Sequence, residues 1–365
     1  MKRIKISLGS RSYNILIGRG VLSRLGEYLK VLNIGEDAVI ITNRTINNLY
    51  GFRLKRVLKE SGFSTKIDEV PDSEESKSQK IALSLINRIA NYDLRKRLFI
   101  IAFGGGVIGD LSGFIASIYK RGIPYIQIPT TLLAQVDSAI GGKTAIDLTG
   151  GKNLVGAFYQ PRLVLSDIDF LSSLSRSQMV SGLAEVIKYA VIKDSVLFHY
   201  LKKEYKNILS FKKVPLEYTV YKCAQIKARI VEQDEKEIKG KRTILNYGHS
   251  IGHAIEAASG YKGYSHGQAI AIGMVIAAEI SYKLNILDKK SFQEIKELIK
   301  ALGLPTKAKS VSLSSMVKAL YHDKKFIHGK NRFVLPKKIG EVIICEDIPT
   351  ELIEETLRGK KSIGI

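Results

Sequence analysis

Over the first 170 residues, short runs of branched and aromatic side chains alternate with stretches whose apolar residues recur every three or four positions. Ala38–Asn43 (AVIITN) and Arg97–Phe103 (RLFIIAF) are continuous apolar runs of strand length, as expected for strands covered on both faces. YIQIPTT and LVLSDI supply two more, and EESKSQKIALSLINRIAN, between the first two runs, has helical spacing. Strands and helices in that order predict an α/β layer domain with a mostly parallel sheet. The opening MKRIKISLGSRSYNILIG alternates like a strand and lacks the continuous apolar run of a signal peptide. After about Asp169 the branched runs become rare. QMVSGLAEVIKYAVI, YTVYKCAQIKARIVEQDEKE, GHSIGHAIEAA, GQAIAIGMVIAAEISYKL and KSFQEIKELIKAL all repeat at helical period instead. The change in pattern puts a boundary between residues 170 and 178. It divides the chain into an α/β domain over 1–173 and a mainly helical domain over 174–365.

Length and composition agree with two such domains: 365 residues, of which 45% are hydrophobic. Charge adds more. The 57 Lys and Arg against 35 Asp and Glu leave a formal +22, a field that attracts anions. Because the lysines are scattered and no zinc-finger, KH or RNA-reading aromatic motif accompanies them, an anionic small-molecule site is expected and nucleic acid is not. Cys223 and Cys345 make no disulfide framework, which points to a reducing compartment and so to the cytoplasm. No apolar run reaches the 18 residues a membrane span needs, so no membrane partner is expected.

Three stretches carry candidate chemistry. After the Arg97–Phe103 run, Gly104, Gly106 and Gly109 spell GxGxxG ahead of a predicted helix. Such a turn either cradles a diphosphate at a helix N-terminus or serves tight packing alone. The match lies about a hundred residues into the chain, with no clean ribose-binding acid twenty positions on, so it is not a first-unit dinucleotide fingerprint. Next, IPTTLLAQVDSAIGGKTAIDLTGGKNLVGAFYQP gathers Thr130, Thr131, Asp137, Lys143, Lys152 and Asn153. Its two glycine-preceded lysines suit point-charge recognition of phosphate or carboxylate, with a solvated surface as the alternative. Last, LNYGHSIGHAIEAASGYKGYSHGQAIAIGM holds three of the chain's 6 histidines. His249 and His253 stand at i and i+4 on one helical face, and His266 follows after a glycine-bearing turn. Three imidazoles in eighteen residues fit a metal better than a core, and Glu185 in the apolar stretch SGLAEVIKY offers a carboxylate to join them. Spacing alone does not say which of His249 and His253 is the ligand.

At these residues the chain resembles the 3-dehydroquinate synthase family. The matching stretches are PDSEESKS, GGGVIGDLSGF, YKRGIPYIQIPTTLLAQVDSAIGGKTAIDLTGGKNLVGAFYQP, SGLAEVIKYAVIKD, LNYGHSIGHAIE, HGQAIAIG and DKKFIHGKNRFVLP, in order from about residue 70 to 336. The wider superfamily, with its iron-containing alcohol and glycerol dehydrogenases, shares the architecture but not this set of lysine motifs. The resemblance implies an NAD-binding domain followed by a helical metal- and substrate-binding domain, with the active site between them. It implies that Glu185, His249 and His266 hold Zn²⁺ or Co²⁺. It implies substrate or catalytic positions at Arg121, Asp137, Lys143, Lys152, Asn153, Lys188, Lys227, Arg242, Asn246, His253, Lys324 and Lys325. Its NAD contacts fall on Glu74, Lys77, Gly106, Val107, Ile108, Gly109, Asp110, Thr130, Thr131, Phe170, Leu171, Ser172 and Ser173, with Lys143 and Lys152 shared. The implied partners are an anionic sugar phosphate and a second copy of the chain. The implied reaction releases phosphate through a transient oxidation by NAD, with the substrate's own phosphate taking the proton, and closes a carbocycle. Arg242 with Asn246 favours a substrate carboxylate, which separates this activity from related sugar-phosphate cyclases. The chain departs from the family pattern at Gln268, usually Glu, and at Asp147, usually Asn. EKEIKGKR, which contains Glu237, is also one residue longer than usual.

Overall fold

The apolar runs of the first half become the centre of a seven-stranded sheet in the computed structural model, which describes residues 1–93, 97–261, 263–309, 311–322 and 331–358. Its strands are β1 (Lys2–Ile6), β2 (Tyr13–Gly18), β3 (Asp37–Asn43), β4 (Ser64–Val70), β5 (Leu98–Gly104) and β6 (Tyr125–Pro129). A hairpin, β7 (Lys143–Leu148) with β8 (Gly151–Phe158), precedes the last sheet strand, β9 (Leu163–Asp167). The sheet order is β1-β2-β9-β6-β5-β3-β4, and every neighbouring pair is parallel except the edge pair β1–β2. Inner strands of a parallel sheet meet helices on both faces, and successive side chains point to opposite sides. Accordingly Phe99, Ile101 and Phe103 of β5 join Ala38 and Ile40 of β3 in one buried cluster. Ile100 and Ala102 join Val39 and Ile41 in the other, packed by Leu85, Ile89, Leu111 and Ile115 from the helices Gln79–Tyr92 and Gly106–Ile118.

The described residues divide into two units, Met1–Ser175 with Lys213–Lys236, and Arg176–Lys212 with Glu237–Ile365. The helix Lys213–Gln233 therefore belongs with the α/β unit, whereas the sequence pattern places all of 174–365 in the helical one. Its period shows that it is a helix but not which core it covers. Ile4 and Ile6 of edge strand β1 need a lid, and the apolar face of this helix, with Val220, Cys223 and Ala224, supplies it. Lys2 sits over the Tyr218 and Tyr221 rings, 5.7 and 4.5 Å from their centroids.

In the second unit two helices, Arg176–Lys193 and His266–Lys283, are apolar nearly all round, the pattern of helices buried on every side. They approach closely because Gly267 has no side chain: a Cβ there would lie 2.1 Å from the Ser181 carbonyl oxygen. Gly273 does the same for the helix His249–Ala258, where a Cβ would lie 2.0 Å from the Gly248 carbonyl oxygen. Strands β10 (Arg332–Lys338) and β11 (Glu341–Glu346) form an antiparallel pair in this unit. Among the described residues no helix is long and apolar enough to cross a membrane.

Candidate active site

In the first unit the expected NAD residues other than Lys143 and Lys152 follow the C-terminal ends of parallel strands. Glu74 and Lys77 come after β4, Gly106 to Asp110 after β5, Thr130 and Thr131 after β6, and Phe170 to Ser173 after β9. In an open parallel sheet ligands bind at those ends, where the strand order reverses, and here it reverses at β3 between β4 and β5. The helix Gly106–Ile118 starts at Gly105 without a side-chain cap, so its first amides are left for another acceptor. Tight packing is also present, since a Cβ on Gly109 would lie 2.7 Å from Gln127 Oε1. Thr130 is buried with no hydrogen-bond partner for its hydroxyl, while Thr131 Oγ1 accepts from the Ala134 amide at 3.2 Å. Phe170 and Leu171 are buried in the core, Phe170 against Phe103 and Tyr50. That segment offers a cofactor its backbone and serines, and its apolar side chains are committed elsewhere. The Ser172 and Ser173 hydroxyls donate to the Asp169 and Phe170 carbonyls.

Lys77 ties these loops together. Its ammonium is 2.8 Å from Asp110 Oδ2 and 2.5 Å from Asn153 Oδ1, with Glu74 at 3.8 Å and Asp147 at 3.9 Å. Burial works against its charge, but the Asp110 carboxylate, with Glu74 and Asp147, more than offsets this and holds the lysine above its ordinary range. Burial likewise pushes Asp110 up, against the pull of Lys77. Asp147, the departure from the family's Asn, adds a carboxylate near Lys77 and accepts from the Asn153 amide at 2.7 Å. Lys143 and Lys152 lie in the strands of the β7–β8 hairpin. They stand about four residues apart along it, roughly 13 Å, so the hairpin does not bring them together. Lys152 is 3.6 Å from Glu74. Arg121 is exposed in a left-handed turn, with φ 64°. Lys227, on the helix Lys213–Gln233, contacts the Asp137 carboxylate and lies 2.8 Å from its carbonyl oxygen.

In the second unit the donors converge around Glu185. This carboxylate is fully buried in the middle of the helix Arg176–Lys193, and neither oxygen has a hydrogen-bond partner of ordinary geometry. His249 Nε2 stands 3.5 Å and His266 Nε2 3.6 Å from Glu185 Oε1, and the three residues offer donor atoms within 4.8 Å of one another. Ligands about 2.0–2.2 Å from a tetrahedral Zn²⁺ are themselves roughly 3.3–3.6 Å apart, so the spacing fits a shared cation. The far ring nitrogens are held as metal-binding imidazoles require. His249 Nδ1 is 3.1 Å from the Tyr247 carbonyl oxygen, and His266 Nδ1 is 3.3 Å from Glu256 Oε1. Burial, with the Lys188 ammonium nearby, drives His249 well below its usual range and keeps it neutral. His266 is the most open of the three. Burial works against its charge too, but the Glu185 and Glu256 carboxylates prevail and push it up to about 10.

His253 is exposed and lies outside the donor set, its ring centroid 5.5 Å from that of His249. Lys188 is buried against Glu185 with its ammonium 4.9 Å from the centroid of the Tyr189 ring. Arg242 is buried 3.4 Å from Glu237, and Asn246 ends the same short helical stretch, Lys241–Asn246. Gln268, the other departure, keeps the reciprocal cap with Ser265 that starts the His266 helix, as Glu would. Lys324 and Lys325 lie outside the described residues. Sequence reading missed Glu256. The only available signal was its position three residues after His253 and seven after His249, on their face of the helix.

Two family models, described as 3-dehydroquinate synthase N-terminal and C-terminal, match residues 67–181 and 182–326. A 3-dehydroquinate synthase from Desulforamulus reducens is 45% identical over 349 residues, covering 95% of this chain and 97% of its own. One from Thermodesulfovibrio yellowstonii is 45% identical over 358 residues, 98% of this chain and 99% of its own. Among solved structures, a 2-deoxy-scyllo-inosose synthase complexed with carbaglucose-6-phosphate, NAD⁺ and Co²⁺ matches with a TM-score of 0.89. It is 27% identical, covering 98% of this chain and 99% of that one.

Proposed function

The chain belongs to the 3-dehydroquinate synthase family, and from that premise we propose that it converts 3-deoxy-D-arabino-heptulosonate 7-phosphate into 3-dehydroquinate and inorganic phosphate. The observation that carries the metal-dependent part is Glu185, a buried carboxylate paired with Lys188 and facing the Nε2 atoms of His249 and His266. A divalent cation there, Zn²⁺ or Co²⁺, supplies Lewis acidity toward a substrate hydroxyl, and NAD supplies a hydride acceptor that is restored within the same cycle.

The chain's own residues bind, orient and balance charge. The amides opening the helix Gly106–Ile118 take the cofactor's diphosphate, with Thr130, Thr131 and the Lys77 cluster around it. Lys188, held by Glu185 and the Tyr189 face, presents a fixed ammonium to an anionic substrate group, and Arg242 with Asn246 receives the carboxylate. Arg121, Asp137, Lys143, Lys152, Asn153 and Lys227 complete the substrate frame. A preorganised donor of this kind is worth roughly 2–4 kcal/mol at a transition state. His253, exposed one turn from His249, orients the substrate or moves a proton. The enzyme acts as a cytoplasmic homodimer.

The test is purified protein with NAD⁺ and Zn²⁺ or Co²⁺, assayed for phosphate release from the heptulosonate phosphate, glucose 6-phosphate and sedoheptulose 7-phosphate. Release from the first alone, with no net NADH at 340 nm, is expected. Release from glucose 6-phosphate or sedoheptulose 7-phosphate instead assigns the chain to another cyclase, and a lasting rise at 340 nm with a polyol makes it a dehydrogenase.

A further inference from the structure

We propose that Glu256 is a positioning residue that sets the ring orientation and metal affinity of His266, an inference that rests on the metal site proposed above. Glu256 is a buried carboxylate near the end of the helix His249–Ala258, a place where an unpaired charge is expensive. It faces the ring of His266, with Oε1 3.3 Å from Nδ1. A proton on Nδ1 shared with that oxygen leaves the Nε2 lone pair bare on the opposite edge, the edge that faces Glu185 at 3.6 Å. His249 gains the same result from the Tyr247 carbonyl, a neutral acceptor fixed by the backbone. His266 differs in two ways. It is the first residue of its helix, and its side chain is more open than that of His249. It therefore has less packing to hold the ring.

Glu256 is well placed to provide that hold. Its carbonyl accepts from the Tyr261 amide at 2.8 Å and from the Ser259 hydroxyl at 3.0 Å, which fixes the backbone beneath the side chain. Its charge also suits the site. A dication beside Glu185, two neutral imidazoles and the Lys188 ammonium leaves net positive charge in a buried place, and a second carboxylate reduces it. Carboxylate partners of metal-bound imidazoles raise ligand basicity as well as fixing the tautomer.

The experiment compares the parent chain with Glu256→Ala and Glu256→Gln. Zn²⁺ affinity is read by competition with a chelator of known strength, and the Co²⁺ form by its visible absorption. Ala is expected to weaken Zn²⁺ binding about 10–100-fold and to alter the Co²⁺ bands, the range seen when an outer partner of a ligand is lost. Gln keeps an acceptor oxygen without charge, so its loss is expected to fall between parent and Ala. If all three bind Zn²⁺ equally tightly with the same Co²⁺ spectrum, Glu256 does not act through His266 and the inference is wrong. A parent that binds no stoichiometric divalent ion removes the metal site itself, and this inference with it.

Discussion

The two histidines one turn apart give the most discriminating test. His249 Nε2 points at the Glu185 carboxylate while His253 stands outside the donor set, so His249→Ala and His253→Ala are expected to fail differently. Structural zinc sites with four ligands are worth about 10–16 kcal/mol, an equal share being about 2.5–4 kcal/mol per ligand. His249→Ala should therefore weaken Zn²⁺ binding roughly 10²–10³-fold. Equilibrium dialysis against a chelator, followed by elemental analysis, reads that directly. His253→Ala should keep its metal within about threefold, because an exposed ring outside the donor set supplies no ligand atom. Its defect belongs to turnover: loss of a proton-transfer group slows catalysis by about 10²–10⁴. Phosphate release from metal-loaded protein across pH 6 to 9 measures it. A metal-free His253→Ala beside a metal-replete His249→Ala would reverse the ligand assignment and refute the reading of the Nε2 distances.

Three other changes probe the same framework. Glu185→Gln should bind metal at least about tenfold more weakly and also lose stability by about 3 kcal/mol, because Lys188 is left as a buried cation without its anion. Denaturant melts of the metal-free parent and variant isolate that second effect, and equal midpoints would mean that Lys188 has another anion. Gly267→Ala drives a methyl to within 2.1 Å of the Ser181 carbonyl, so it should destabilise by about 1–3 kcal/mol and weaken metal binding by moving His266. Unchanged Zn²⁺ affinity would show that the helix contact does not set the ligand geometry. Glu235 accepts from Arg11 at 3.0 and 2.7 Å and from Gln160 at 3.1 Å, and these bonds, that of Arg11 foremost, hold its carboxyl below the usual range. Its folded-state pKa is the lower one, so its stabilisation is present above the unfolded value of about 4.3 and lost as pH falls through the folded one. Glu235→Gln should therefore lower the denaturation midpoint at pH 7 and leave it unchanged near pH 2. A penalty that persists at low pH would locate the effect in packing.

What the chain's pattern revealed, and what it hid, follows from the range of each interaction. The β3 and β5 strands were legible because burial on both faces requires continuous apolar runs, and that requirement is local. The loop positions after β5 and β6 stand out as motifs and those after β4 and β9 come from the family resemblance, although their common placement at strand ends needs the sheet order. The helix Lys213–Gln233 was legible as a helix only, since either core would accept its apolar face. The choice between His249 and His253 was not legible from spacing, because i and i+4 are equivalent until Glu185 arrives from a helix some sixty residues away in sequence. Glu256 was less visible still, one glutamate among many, given meaning only by the turn that folds His266 back onto it.

The surplus of positive charge raised the question of anions, but burial answers it better than net charge does. Of the 57 lysines and arginines, the buried ones among the described residues are Lys77, Lys188, Lys227 and Arg242, all of them candidate site positions. Each stands beside a carboxylate: Asp110, Glu185, Asp137 and Glu237 respectively. Buried ion pairs are poor devices for stability, because apolar residues of similar volume usually serve as well or better. Exposed pairs such as Arg24–Glu27 or Arg56–Glu60 contribute little either way. Four costly pairs at these positions, two in each unit, are therefore not explained by stability, and the proposed function gives a reason to keep their cations buried and held by a carboxylate.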